Sequence, residues 1–271
     1  MRHVVVKYFH SIQKFIENGQ SMTNQTTKSA PLSGNALKYI AALSMLIDHI
    51  GVIFFPDSDI LRIIGRLALP IFAFMIAEGC RYTHNRLRYF LGIFVLAAAC
   101  QLVYFIYNGD TYMCILVTFS LAILVIYTLQ HFKACIFDAQ CPLIKKLLSA
   151  LLVLAAVAAV WVLNVFLHID YGFAGCMLPV FAALLHPTEN APEAFLALDR
   201  IPVHVALLGV GCVILALSGN GVGNLQYYSL LALIPLLLYS GKRGKRKMKY
   251  FFYIFYPLHL GALQLLAMLI N

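Results

Sequence analysis

The chain of 271 residues is 62% hydrophobic and only 11% charged, whereas a soluble globular chain has about 25% charged residues. So little charge cannot coat a water-exposed surface of this size, which excludes a water-soluble enzyme, a disordered chain and a nucleic-acid-binding domain. The net charge of +9 then reads as topology, because basic loops stay on the cytoplasmic side of a membrane. The apolar residues come in long blocks rather than in the alternation of a β-barrel. The expected fold class is therefore all-α, a polytopic helical membrane bundle surrounded by lipid.

In chain order, residues 1–35 precede the apolar blocks. Val4, Val5, Tyr8, Phe9, Ile12, Phe15 and Ile16 share one helical stripe over residues 3–17, which predicts a short amphipathic helix lying at the membrane interface. Residues 18–35 are polar and linker-like, and Met22 is a possible natural start that would make the first helix dispensable. Residues 36–271 form the membrane domain, with nine apolar blocks near 37–55, 61–79, 88–107, 112–130, 147–168, 171–186, 201–218, 225–240 and 250–270. A span needs about 20 residues, so the short sixth and eighth blocks are expected to be tilted, broken or re-entrant.

Alternating from an inside N-terminus puts every Lys and Arg except Arg62 and Arg66 in an inner segment, while Asp57, Asp59, Asp110 and Asp170 fall outside. This bias predicts nine spans, N-terminus in and C-terminus out. The stretch 187–200, PTENAPEAFLALDR, is the exception, nearly acidic for an inner loop. The seven cysteines form no CxxC pair and read as reduced, buried small residues, with no metal site and no disulfide framework.

Ionisable residues inside apolar blocks are costly and single out the functional candidates. They are Asp48, His49, Arg66, Glu78, His204 and His259, with His168 and Asp170 at a span end. Adjacent helical residues do not face each other, so Asp48 is expected to pair across to Arg66, at similar depth, rather than to orient His49. Lys38 lies three turns before His49 on the same stripe, about 16 Å nearer the inner face. A basic group at the rim and an imidazole in the membrane suit a ligand with an anionic head and a reactive tail. Pro70 cannot donate to the Arg66 carbonyl, so local irregularity is expected beside Arg66, and Pro257 frees the carbonyl of Tyr253 on the block that carries His259. Tyr250, Tyr253 and Tyr256 make a polar-tipped ridge on the last block. Glu78 is either a site residue or an interfacial partner of Arg81, and Asp170 either caps the sixth helix or lines an outer entrance. The basic run at 241–249 anchors anionic lipid or attracts a phosphorylated cofactor.

The segments LSGNALKYIAALSMLIDHIG, IIGRLALPIFAFMIAEGCRYTHN and KYFFYIFYPLHL together resemble the TraX family, from about Leu32 to the C-terminus. That family is named for a conjugative-plasmid protein that acetylates the N-terminus of pilin in the membrane. It is similar in turn to the acyltransferase-3 group, in which a first-span arginine lies ten intervening residues before an important histidine. Lys38 and His49 reproduce that spacing with a lysine, which keeps the charge and loses the bidentate fork. The resemblance implies acetyl-CoA or another acyl-CoA as co-substrate, with Lys38, Arg81, Arg86, Arg88, Lys242 and Arg243 for its phosphates. It further implies His49 as general base, Asp48, Arg66 and His259 completing the catalytic set, and Tyr256, Glu78 and Asp170 contacting substrate. The acceptor is then an envelope amine or hydroxyl on a peptide N-terminus, glycan or lipid. A proton-coupled transporter and a non-catalytic assembly factor for a secretion or pilus apparatus are the alternatives.

Overall fold

The computed structural model describes residues 30–109, 112–219, 223–244 and 249–270. The expected amphipathic helix at 3–17, residues 18–29 of the 18–35 linker, Asp110, and Lys245, Arg246 and Lys247 of the basic run lie outside the described residues, as do the side chains of Tyr250 and Tyr253. The helices in order are α1 (Gly34–Phe54), α2 (Asp59–Gly65), α3 (Ala68–Tyr82), α4 (Arg86–Asn108), α5 (Ile115–Phe137), α6 (Leu143–Phe166), α7 (Gly172–Ala183), the single turn α8 (Glu193–Leu196) and α9 (Ile201–Leu217). A 3₁₀ helix (Gly223–Ala232) leads into α10 (Leu233–Leu237), and α11 (Lys249–Ile270) closes the chain.

Local chemistry sets the helix ends. Ser33 caps α1 by accepting from the Ala36 N–H at 3.2 Å, and the Asn85 side chain caps α4 by accepting from the Arg88 N–H at 2.8 Å. Gly109 ends α4 at φ 66°, the left-handed backbone that glycine adopts without strain. Pro70 falls in the first turn of α3, where its missing N–H costs nothing. The irregularity expected beside it is a full break: the second apolar block parts at Arg66 and Leu67 into α2 and α3. Pro257, by contrast, sits inside a continuous α11.

Among the described residues, five segments are long and apolar enough to cross a membrane: Gly34–Phe54, Asp59–Tyr82, Arg86–Ile106, Ile115–Phe137 and Leu143–Phe166. The nine expected spans thus resolve into these five and four shorter apolar helices, at Gly172–Ala183, Ile201–Leu217, Leu225–Leu237 and Ile254–Ile270. The sixth block is short for a reason that packing supplies. Helix α7 is enclosed by α3, α5 and α9 and nearly all of it is buried, so protein rather than lipid satisfies its ends. The eighth block is the broken one, part 3₁₀ and part α. Helices α4 and α6 instead turn their leucines, valines and Trp161 outward, the surface that lipid covers.

Contacts between segment ends fix two ends of the bundle. The Gly34 and Asn35 N–H groups donate to the carbonyls of Lys242 and Arg243, Arg81 pairs with Asp199, and Lys133 donates to three carbonyls at the end of α7, those of Ala183, Leu184 and His186. This is the basic end. The opposite end is tied by Met113, whose N–H donates to the His168 carbonyl and whose carbonyl accepts from the Asp170 N–H. The acidic stretch 187–200 is explained here, because Asp199 is neutralised by Arg81.

Candidate active site

Asp48 and Arg66 meet as the charge pattern predicts. The Arg66 guanidinium donates to both Asp48 oxygens, at 2.8 and 3.0 Å. Its remaining donors go to the Arg62 carbonyl (3.2 Å), the Tyr171 hydroxyl (3.2 Å) and the Gln226 side-chain oxygen (3.3 Å). A guanidinium has five N–H groups, and all five are committed on a side chain only 3% exposed. Arg66 therefore holds its neighbours in place and has no donor left for a ligand. The Arg62 guanidinium lies 2.9 Å from Asp48, is partly exposed, and lines a cavity. Gly65 makes this cluster possible, since a Cβ there would sit 2.1 Å from Asp48 Oδ1.

His49 faces His259 across α1 and α11. Each ring hydrogen-bonds through Nδ1 to the carbonyl one turn earlier, His49 to Met45 and His259 to Phe255, both at 2.8 Å. A carbonyl only accepts, so both Nδ1 atoms carry the proton and both Nε2 atoms hold a lone pair. His259 Nε2 lies 3.2 Å from His49 Nδ1 and accepts a second share of that proton. His49 Nε2 is left with its lone pair, no hydrogen bond to it being made among the described residues. Asp48 takes no part in orienting the ring. Phe255 stacks on His259 at 4.8 Å and fixes its plane.

One cavity is lined by His49 and a second comes within one helical turn of it. The first, about 560 Å³, lies towards the end opposite the basic face and is lined by Asp48, His49, Arg62, Tyr112, Asp170 and Tyr171 among others. Asp170 is not the cap of α7, whose N-cap is Tyr171. Its carboxylate instead accepts from the Tyr112 hydroxyl at 2.7 Å. Burial raises the Asp170 carboxyl to about 6, although Tyr112 and Arg66 favour the charged form. Tyr171 holds a left-handed backbone (φ 59°), a strain tolerated where tertiary contacts over-determine a residue; its hydroxyl accepts from Arg66.

The second cavity, about 660 Å³, starts at the basic end with Lys38, Arg243, His84 and Glu78 and runs inward between apolar walls. Of the six basic residues expected to hold phosphates, Lys38 and Arg243 line it. Arg81 is committed to Asp199 by two bonds of 2.7 and 2.6 Å, Arg86 lies over the Tyr127 ring, and Arg88 and Lys242 are exposed away from it. Glu78 is buried and accepts from the Tyr239 hydroxyl rather than pairing with Arg81. His204 bonds Asp199 at 2.9 Å, well away from His49, and His168 is exposed. Tyr256 lines both cavities. Among the described residues no group of three or more His, Cys, Asp or Glu side chains is arranged to hold a metal ion.

Sequence reasoning passed over Arg62, Tyr112, Tyr171 and Gln226. Arg62 carried a signal, being the one other basic residue left on the outer side and one turn from Arg66. Tyr112, Tyr171 and Gln226 carried none, since an uncharged polar residue in an apolar block is unremarkable until its partner is known.

Apolar helices around a buried ionic and histidine centre, with one cavity at the centre and another beside it, define an integral membrane protein with a polar interior. The chain belongs to the TraX protein family, whose model matches residues 33–267. It is 26% identical over 260 residues to the probable fimbrial assembly protein FimC, serogroup H1, of Dichelobacter nodosus, covering 88% of this chain and 96% of that protein. A short stretch of 38 residues is 53% identical to an uncharacterized protein of Rickettsia prowazekii, 14% of this chain and 15% of that one. No solved structure matches.

Proposed function

We propose that this chain is a membrane acyltransferase that moves an acyl group from acyl-CoA, entering at the basic end, to an amine or hydroxyl of an envelope substrate entering from the other end. One observation carries the reading: the two cavities share walls one helical turn from His49, whose Nε2 lone pair has no partner among the described residues. The basic end is the cytoplasmic one, in the bacterial inner membrane, with Lys38 and Arg243 drawing the phosphates of the donor. In the reaction the acceptor N–H or O–H gives its proton to His49 Nε2 as its nitrogen or oxygen attacks the thioester carbonyl. The carbonyl re-forms as the C–S bond breaks, and the imidazolium returns the proton to the leaving sulfur, so acyl acceptor and free CoA thiol are the products. Such a positioned base contributes about 10²–10⁴ in rate. Arg62, held by Asp48, is the cation available to the developing oxyanion or to an anionic group on the acceptor.

The test uses acetyl-CoA labelled in the acetyl group, added to washed native membranes that carry the protein. The expected result is label retained in the membrane in step with thiol release, both lost in His49→Ala. A transporter using the same passage, or an assembly factor using only the ionic pair, would release no thiol, and His49→Ala membranes equal to wild type would overturn the proposal.

A further inference from the structure

The two cavities share a narrow set of walls. Met45 on α1, Phe72 on α3, Ile115 and Phe119 on α5 and Tyr256 on α11 line both. All five are large, and none carries a formal charge. Met45 stands one turn towards the basic end from His49, and Tyr256 one turn towards it from His259, so this ring sits immediately on the donor side of the histidine pair. Beyond it the surroundings change sharply. On the donor side Met75, Ile76, Ile93, Leu96 and Phe252 give apolar walls. On the acceptor side Asp48, Arg62, Arg66 and Asp170 crowd the cavity.

We infer that this ring sets the acyl-chain length the protein accepts, with Phe72 as its principal determinant. The inference rests on the acyltransferase reading and deepens it. The acceptor atom stands between His49 Nε2 and the thioester carbonyl, so the carbonyl stops at the ring and its first acyl carbons lie against the ring side chains. A long alkyl tail then has two places to go, and both oppose it. Forward, it would enter a cavity lined by two arginines and two aspartates and strip water from them. Backward, it would fold beside its own pantetheine arm against the aromatic walls. A short acyl group fits between the rings of Phe72, Phe119 and Tyr256 and leaves the carbonyl free. Phe119 is buried in the core, so shortening it also hollows the bundle. Phe72 is only partly buried and presents its ring to both cavities, which makes it the position at which size can change while the fold is kept.

The experiment compares acyl transfer from labelled acetyl-, butyryl- and octanoyl-CoA in native membranes carrying wild type, Phe72→Ala, Phe72→Leu or Phe72→Trp, with His49→Ala membranes as background. Each methylene in such a pocket changes selectivity by about 10–200-fold. Phe72→Ala is expected to raise the butyryl-to-acetyl ratio about tenfold or more, Phe72→Leu to raise it less, and Phe72→Trp to lower it. If Phe72→Ala fails to accumulate, Phe72→Leu and Phe72→Trp still move the ratio in opposite directions. Wild type that transfers acetyl, with all variants keeping its chain-length ratio, overturns the gate and leaves the acyltransferase reading standing. Wild type that transfers no acyl group at all overturns both.

Discussion

At the scale of single residues, the site separates groups that hold the fold from groups that face a substrate. Asp48 accepts from a buried Arg66 that has no spare donor, so Asp48→Asn leaves a buried guanidinium without its counter-charge, a loss of about 3–5 kcal/mol. Gly65→Ala should have the same effect by a different route, its methyl occupying the place of the carboxylate. Both are expected to lower Tm markedly in detergent, whereas His49→Ala keeps Tm near wild type while abolishing transfer. His259 belongs between these classes. Its Nε2 takes part of the His49 Nδ1 proton, so His259→Ala should cut kcat about tenfold or more at unchanged KM, and His259→Gln, which retains an acceptor, should recover part of it. Asp170 gives a pH signature. Its carboxyl is raised to about 6 in the folded protein from an ordinary 3.8, so its protonated form favours the fold. That contribution is complete below 3.8 and lost as pH rises through about 6. Asp170→Asn should therefore raise Tm above pH 6 and leave it unchanged below pH 4. The Asp48–Arg66 pair was legible in the sequence because charges within the apolar blocks are so few. The completion of the arginine's hydrogen bonds by Tyr171 and Gln226 was not, because those contacts join residues more than a hundred positions apart.

At the scale of elements, hydropathy located the apolar blocks and left their interiors unresolved. It marked Pro70 as a disturbance, and the chain breaks four residues earlier, at Arg66, because a proline is tolerated in a first turn and not after it. It marked the sixth and eighth blocks as short. Only packing distinguishes the two outcomes, a regular α7 enclosed by its neighbours and a 3₁₀ segment that carries Gln226 to Arg66. The acidic stretch 187–200 contradicted the charge rule when read as composition. In three dimensions Asp199 ties it to α3 through Arg81 and to α9 through His204. Burial works to raise the Asp199 carboxyl, and Arg81 and His204 hold it below its ordinary value. The pair thus stabilises the fold above about pH 4 and weakens as pH falls further. Arg81→Ala is expected to cost about 1.5–3 kcal/mol at pH 7, with the Tm difference from wild type closing below pH 3.8.

At the scale of the whole molecule, the low charge of the chain and its uneven placement are one design. Lipid covers the apolar outer faces of α4 and α6, basic residues gather at one end, and Asp48, Arg62, Arg66 and Asp170 stand around the cavity towards the other. Composition was enough to predict a helical membrane bundle. It could not show that cavities from both ends share walls one turn from a pair of histidines, because that requires α1 and α11, far apart in sequence, to pack side by side. The most direct measurement is a structure in lipid nanodiscs with a non-reactive thioether analogue of acetyl-CoA. The account predicts the phosphates at Lys38 and Arg243, the pantetheine arm along the apolar walls, and the acyl carbons between Phe72 and Tyr256 next to His49. An analogue bound elsewhere, or an empty inner cavity at saturating analogue in the intact bundle, would contradict it.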